Sequence, residues 1–255
     1  MQLSHIFSFY MMIRSIFIIF LIFNFTCAVA QELKGSATYA VSKSTDSTNN
    51  DSDELMILQA HPFIPEIVAG MEFQMQFDEK QSLFALVKNK ALEKIDSKNL
   101  RIAEIMIGYK DSTWQDGANS YIFERDLSKG LAKKSVIQKS PHDFNWKIQK
   151  ESKLIGNYTC YQAIGHIVLG KGNKARQRPV IAWFCPEIPV SFGPINSGGL
   201  PGLIFEYQYA GTVFGLTKIN WHEQMQVPTL PAKEIVTKQE LQDRVKQIAK
   251  ERGLL

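Results

Sequence analysis

The residues that could do chemistry in this 255-residue chain are five histidines, a few carboxylates, one serine near a glycine-rich run and three cysteines. His5, His61, His142, His166 and His222 show neither H-x-x-x-H nor H-E-x-x-H spacing, so no two imidazoles fall one helical turn apart to share a metal. His166 lies in a strand-like run and His222 just after one, where a solvent-facing or core-rim histidine is the simpler reading. Ser191 stands in Val190-Ser191-Phe192-Gly193, without the G-x-S-x-G elbow that exposes a nucleophile. Glu187 and Glu206 form a single pair of acids, and Glu187 before Ile188-Pro189 reads as an element-end residue. Gly198 to Gly202 leads into a strand-like run, with no helix N-terminus or Lys-Ser/Thr pair to hold a phosphate. No nucleophile comes with a positioned base. The expectation is a non-enzymatic protein with no catalytic residue, cofactor or metal.

The cysteines carry a different chemistry. Arg14, the apolar run Ile16 to Phe25 and the small-x-small Ala28-Val29-Ala30 read as a leader cleaved after residue 30. The apolar core is shorter than the roughly 20 residues of a membrane-spanning helix, and Gln31-Glu32 brings no basic stop-transfer cluster. Thr26 before Cys27 argues against lipidation. The expected mature chain, 31–255, is exported to the periplasm or secreted, has no transmembrane span, and retains Cys160 and Cys185. Such a compartment permits a disulfide. Tyr158 to Leu169 and Pro179 to Cys185 are strand-like runs around Gly170-Lys171-Gly172-Asn173-Lys174. A hairpin centred between Gly172 and Asn173 sets Cys160 directly opposite Cys185, close enough to bridge. The alternative is two buried free thiols.

The elements that must position these residues are mostly strands. Ser36 to Val41 alternates modestly, and the polar stretch Lys43 to Glu54 reads as an exposed loop. Hairpins are expected at Glu72 to Phe77 with Ser82 to Val87, at Tyr121 to Arg125 with Leu131 to Ile137, and at Leu203 to Tyr209 with Val213 to Trp221. Asp143 to Ser152 alternates Phe144, Trp146 and Ile148 with polar residues, the pattern of a half-buried strand. Lys88 to Met106 can be short helix or anchored loop. Thr237-Lys238-Gln239-Glu240 is a capping box, with Leu241, Val245 and Ile248 on one helical face and Gly253 at the C′ place. That helix lacks the Trp or Phe of an interfacial helix and should lie against a sheet edge or barrel mouth. The fold class is therefore mainly β. A curved antiparallel meander sheet or half-barrel is expected over 31–236, with a short mid-chain helix or loop and an amphipathic helix at 237–255.

Gly199-Leu200-Pro201-Gly202-Leu203-Ile204 remains to be placed. Pro194 and Pro201 remove backbone donors, so neither suits a central strand. The run is expected to be a tight crossing segment that drops Leu200 into the core and launches a strand at Leu203. It also spells the signature of a family. Trp146-Lys147-Ile148, Ile155-Gly156-Asn157-Tyr158-Thr159-Cys160, Ala182-Trp183, Glu187-Ile188-Pro189-Val190 and Gly193-Pro194 follow the same order and spacing. The chain thus resembles the GLPGLI family, secreted proteins of Bacteroidota-type bacteria with no settled biochemical function. The resemblance implies export, not a reaction. By analogy of architecture, the periplasmic carriers LolA and LolB suggest an apolar concavity for a lipid, acyl chain or hydrophobic peptide. Leu200, Pro201, Leu203 and Phe205 are the candidate ligand or partner contacts. The alternative is a structural protein docking an outer-membrane protein. Basic side chains exceed acidic ones by four, three without Arg14, too few to imply nucleic acid as partner.

Overall fold

The computed structural model describes residues 33–43, 52–124, 136–169, 176–222, 224–231, 234–251 and 253. The chain divides into two units, Met1–Glu32 and Leu33–Leu255, and the second is the one described below. The twelve strands among its described residues are β1 (Gly35–Lys43), β2 (Glu72–Phe77), β3 (Gln81–Leu86), β4 (Thr113–Asp116), β5 (Asn119–Glu124), β6 (Val136–Pro141), β7 (Lys147–Ile155), β8 (Tyr158–Leu169), β9 (Arg176–Cys185), β10 (Leu203–Tyr209), β11 (Thr212–Trp221) and β12 (Ile235–Thr237). They form one open sheet in the order β12-β6-β5-β4-β3-β2-β1-β11-β10-β9-β8-β7. The protein is mainly β, as expected. The meander is double, however. β1 to β6 and β7 to β11 are two antiparallel runs joined where β1 pairs with β11, and β12 adds to β6 in parallel.

The hairpin between β10 and β11 turns at Ala210 and Gly211, whose φ values of 50° and 75° suit a two-residue primed turn. β2 and β3 pair through Phe73 opposite Leu86, and β8 and β9 through Tyr161 opposite Phe184. The turn residues Leu127 to Gly130 and Gly170 to Lys174 lie outside the described residues; β8 and β9 pair as expected, whereas β5 pairs with Val136–Pro141, and 131–135 of the expected Leu131 to Ile137 strand lie outside the described residues. Ser52 to Glu54, read as loop, already belong to helix α1 (Ser52–Ala60), and 44–51 lie outside the described residues. Helix α2 (Ile64–Ala69) packs on β1 and on α4 (Ser97–Met106). The segment left open between helix and loop is two helices, α3 (Lys90–Glu93) and α4. Each has an N-cap: Asn89 accepts from the Leu92 amide, and Asp96 accepts from Lys98 and Asn99.

The expected strand at Asp143 to Ser152 needs correction. β7 begins only at Lys147, and Asn145 has a positive φ of 49°, which breaks the extended run. Residues 142–146 instead carry the chain from one end of the sheet to the other. Ten strand spacings separate β6 from β7, about 48 Å in a flat sheet. The chain from Pro141 to Lys147 reaches at most about 21 Å. The sheet must therefore curl until its two ends approach.

Curling creates an inner face, and the register shows what covers it. One cross-strand row runs Ala163, Ala182, Tyr207, Phe214, Val41. Another runs Ala37, Met75, Phe84, Thr113, Ile122, Gln138. Rings of Phe73 and Phe84 stack at 5.1 Å, with Tyr109 and Phe214 edge-on to Phe73. Tyr39, Phe73, Phe77, Phe84 and Phe214 are fully buried, and the area they remove from water dominates the stability of the sheet. The second row changes character along its length. It is apolar at β1 to β3, and from β4 onward polar Thr113 and Gln138 flank Ile122.

Candidate ligand cavity

Phe192 and Gly198 bridge within the glycine-rich loop between β9 and β10, and this loop fills the inner face. Gln115 of β4 donates its amide to the carbonyls of Gly193 (2.6 Å) and Ile195 (3.2 Å). Trp146 of the crossing segment donates Nε1 to the Gly198 carbonyl at 2.9 Å. The loop is thus tied to β4 and to the crossing segment. Gly202 is required by close approach, because a Cβ there would fall inside the Cys185 carbonyl group. Gly199 is required by its φ of 81°. Leu200 is buried and Leu203 opens β10, as the sequence implied.

Leu200, Leu203 and Phe205 are closed into the core, and Pro201 alone is exposed. None of the four borders the cavity that the curled sheet encloses. The apolar volume that made them candidates is packed into the core, with Phe205 edge-on to Tyr158 at 5.2 Å.

Beside the loop lies a cavity of about 640 Å³, within the range of small-molecule sites. One wall is apolar and aromatic: Phe144, Ile167, Val168, Tyr207 and Tyr209, with Ile122 facing them. The other wall carries Thr113, Asn119, Gln138 and Ser140, with Asn196 from the loop. Thr237, Lys238 and Gln239, at the start of helix α5 (Lys238–Glu251), complete the border. The capping box forms: Thr237 N donates to Glu240 Oε2 (2.7 Å), and Glu240 N donates to Thr237 Oγ1 (3.2 Å). Sequence reasoning did not find this site. Its strand walls come from β4–β6 and from β8 and β10, distant in the chain and brought together only by the curl. Phe144 in the alternating stretch was the one visible signal, and its ring stacks on Trp146 at 5.0 Å and meets Tyr207 edge-on at 6.4 Å.

The other groups with chemical potential are committed elsewhere. Glu206 accepts from Lys153 at 2.7 Å and from Gln208 at 2.7 Å, and Glu187 accepts from the Thr159 amide at 3.0 Å. Lys153 also lies 4.2 Å above the Trp183 ring. His142 Nε2 sits 3.2 Å from the Asp116 carbonyl, which can only accept, so the neutral ring carries its proton on Nε2. Among the described residues its buried Nδ1 has no hydrogen-bond partner, and desolvation holds the imidazole below its usual pKa. Among the described residues no three His, Cys, Asp or Glu side chains gather in a metal-binding group.

Cys160 and Cys185 stand where the hairpin argument put them, next in line after Tyr161 opposite Phe184. Both are fully buried free thiols in the structure, and no bond joins them. Burial pushes the Cys160 thiol up to about 12 and raises that of Cys185 as well. Neither is a reactive thiolate at neutral pH.

A family model described as a protein of unknown function, Porph_ging, matches residues 169–206, a stretch running from the end of β8 through the loop into β10. No curated protein matches the chain. Among solved structures the chain is similar, at 13% identity and a TM-score of 0.48, to one titled "Structure of PNGF-II in C2 space group". The similarity covers 85% of this chain but 33% of that one, so the chain spans about a third of that protein's length.

Proposed function

We propose that this is a non-enzymatic, exported envelope protein that binds a ligand with a hydrophobic body inside its curled sheet. The observation that carries the reading is the cavity of about 640 Å³, walled on one side by Phe144, Ile167, Val168, Tyr207 and Tyr209. Soluble binding sites combine such an apolar lining with a few polar groups that orient the ligand. The leader-like segment and the Gly199–Ile204 run support export and membership of the GLPGLI family. The described residues contain no helix long and apolar enough to cross a membrane.

Nile red titration and native mass spectrometry of protein purified from its own envelope without detergent test the reading. We expect saturable dye fluorescence and a reproducible lipid-sized adduct. Val168→Trp fills the cavity from a half-exposed position and should abolish both. A clean apo mass and no dye binding would overturn it. The second reading, docking of an outer-membrane protein, draws on Met56, Phe63 and Ile105, exposed at 66%, 70% and 61% on the helical layer. Crosslinking in the envelope from Phe63 distinguishes the two.

The Cys160–Cys185 disulfide belongs to the same proposal. In an oxidising compartment the pair would close before the hairpin is buried, with loss of two hydrogens to an exchanging disulfide. Exported protein denatured without reductant should then show no titratable thiol. Two titratable thiols would leave the pair as packing.

A further inference from the structure

The cavity also constrains the polar end of its occupant, an inference that rests on the ligand-binding reading above. Tyr207 is only 2% exposed, and its side chain borders the cavity. A buried phenol ordinarily finds an acceptor. Its burial raises the pKa, so the group is a neutral donor at any physiological pH. On the β6 wall Gln138, 6% exposed, commits its amide nitrogen to Ser140 Oγ at 2.9 Å. The polar groups of the interior wall, Thr113, Asn119, Gln138, Ser140 and Asn196, are all uncharged.

The charges lie at the cavity's border. Lys110, Asp143 and Lys238 are exposed where they border the cavity. Lys139 also borders it but holds its ammonium over the Tyr121 ring, 5.8 Å from the centroid. A carboxylate or phosphate drawn inside would be desolvated with no buried cation to meet it, whereas an ester or amide carbonyl needs only one donor.

We propose that the cavity takes an uncharged acyl ester or amide, its chain against Phe144, Ile167 and Val168 and its carbonyl oxygen accepting from the Tyr207 hydroxyl. The test is displacement of Nile red by 1-monooleoylglycerol, by oleate and by a hydrocarbon of matched length. Monooleoylglycerol should displace the dye at about tenfold lower concentration than either competitor, the worth of one well-made buried hydrogen bond. Tyr207→Phe should shrink that preference to less than about twofold. Infrared spectra supply a readout independent of any variant: the ester carbonyl band of bound monooleoylglycerol should shift to lower frequency. Oleate binding as tightly as the ester, a preference that survives Tyr207→Phe, or an unshifted carbonyl band would each overturn the proposal. Failure of Nile red itself to bind would instead remove the ligand-binding reading, and this inference with it.

Discussion

Tyr39 shows how single side chains hold the curl. It is fully buried in the central strand β1, and its hydroxyl donates at 2.8 Å to the Ile204 carbonyl, at the bulge where β10 departs from its register with β9. Tyr39→Phe should cost about 1–2 kcal/mol, read as a lowered urea midpoint with unchanged slope. His142 makes a pH-dependent contribution of definite sign. Desolvation lowers its folded-state pKa below 6.5, although the Asp116 carbonyl and carboxylate favour the charged form. The unfolded chain therefore binds the extra proton first. Stability from this site is fully present above pH 6.5 and is lost as pH falls from there through the folded pKa. Thermal melts across that window should show the fall, and His142→Gln should flatten it.

Elements are limited by how closely their backbones approach. The glycine-rich loop lies against β9 at Gly202, where any side chain would enter the Cys185 carbonyl. Gly202→Ala should therefore cost about 3 kcal/mol through forced displacement, measured by chemical denaturation. Gly156, with open space around its Cβ position, marks the contrast: there the cost of alanine comes only from its φ of 61°. Helix α5 is held differently. Leu241 and Val236 form a small buried cluster of their own, and the capping box sets the helix start. Thr237→Ala should cost about 1 kcal/mol, appearing as faster amide exchange in the first turn of α5 and little change elsewhere.

The whole second unit depends on closing two antiparallel runs around one interior. The crossing segment 142–146 is the strap: His142 N donates to Ala118 O at 3.1 Å, and His166 N donates to Phe144 O at 2.9 Å. Trp146 pins that strap to the loop through Gly198. Gly165 leaves room for the strap, since a Cβ there would meet the Trp146 ring at 2.7 Å. Trp146→Ala should cost about 3–5 kcal/mol by losing both the ring and the anchor, and should raise Nile red exchange rates by loosening the cavity wall. Equilibrium denaturation and stopped-flow dye release measure the two effects.

Local patterns in the sequence determined most of the strands. Alternation placed β2, β3, β10 and β11 nearly to the residue, the symmetric hairpin placed β8 against β9, and Thr237 to Glu240 announced helix α5. Leu200 and Leu203 announced their own burial, because apolar side chains after a Gly-Pro-rich crossing have nowhere else to go. These are short-range signals, carried by period and turn chemistry. Tertiary structure alone decided that β1 pairs β11, that 142–146 is a strap rather than a strand, and that the two runs face each other. Pairing between distant strands leaves no mark in either one's pattern. The cavity belongs to that second class: Tyr207 and Gln138 read as ordinary strand residues until the curl sets them around one interior.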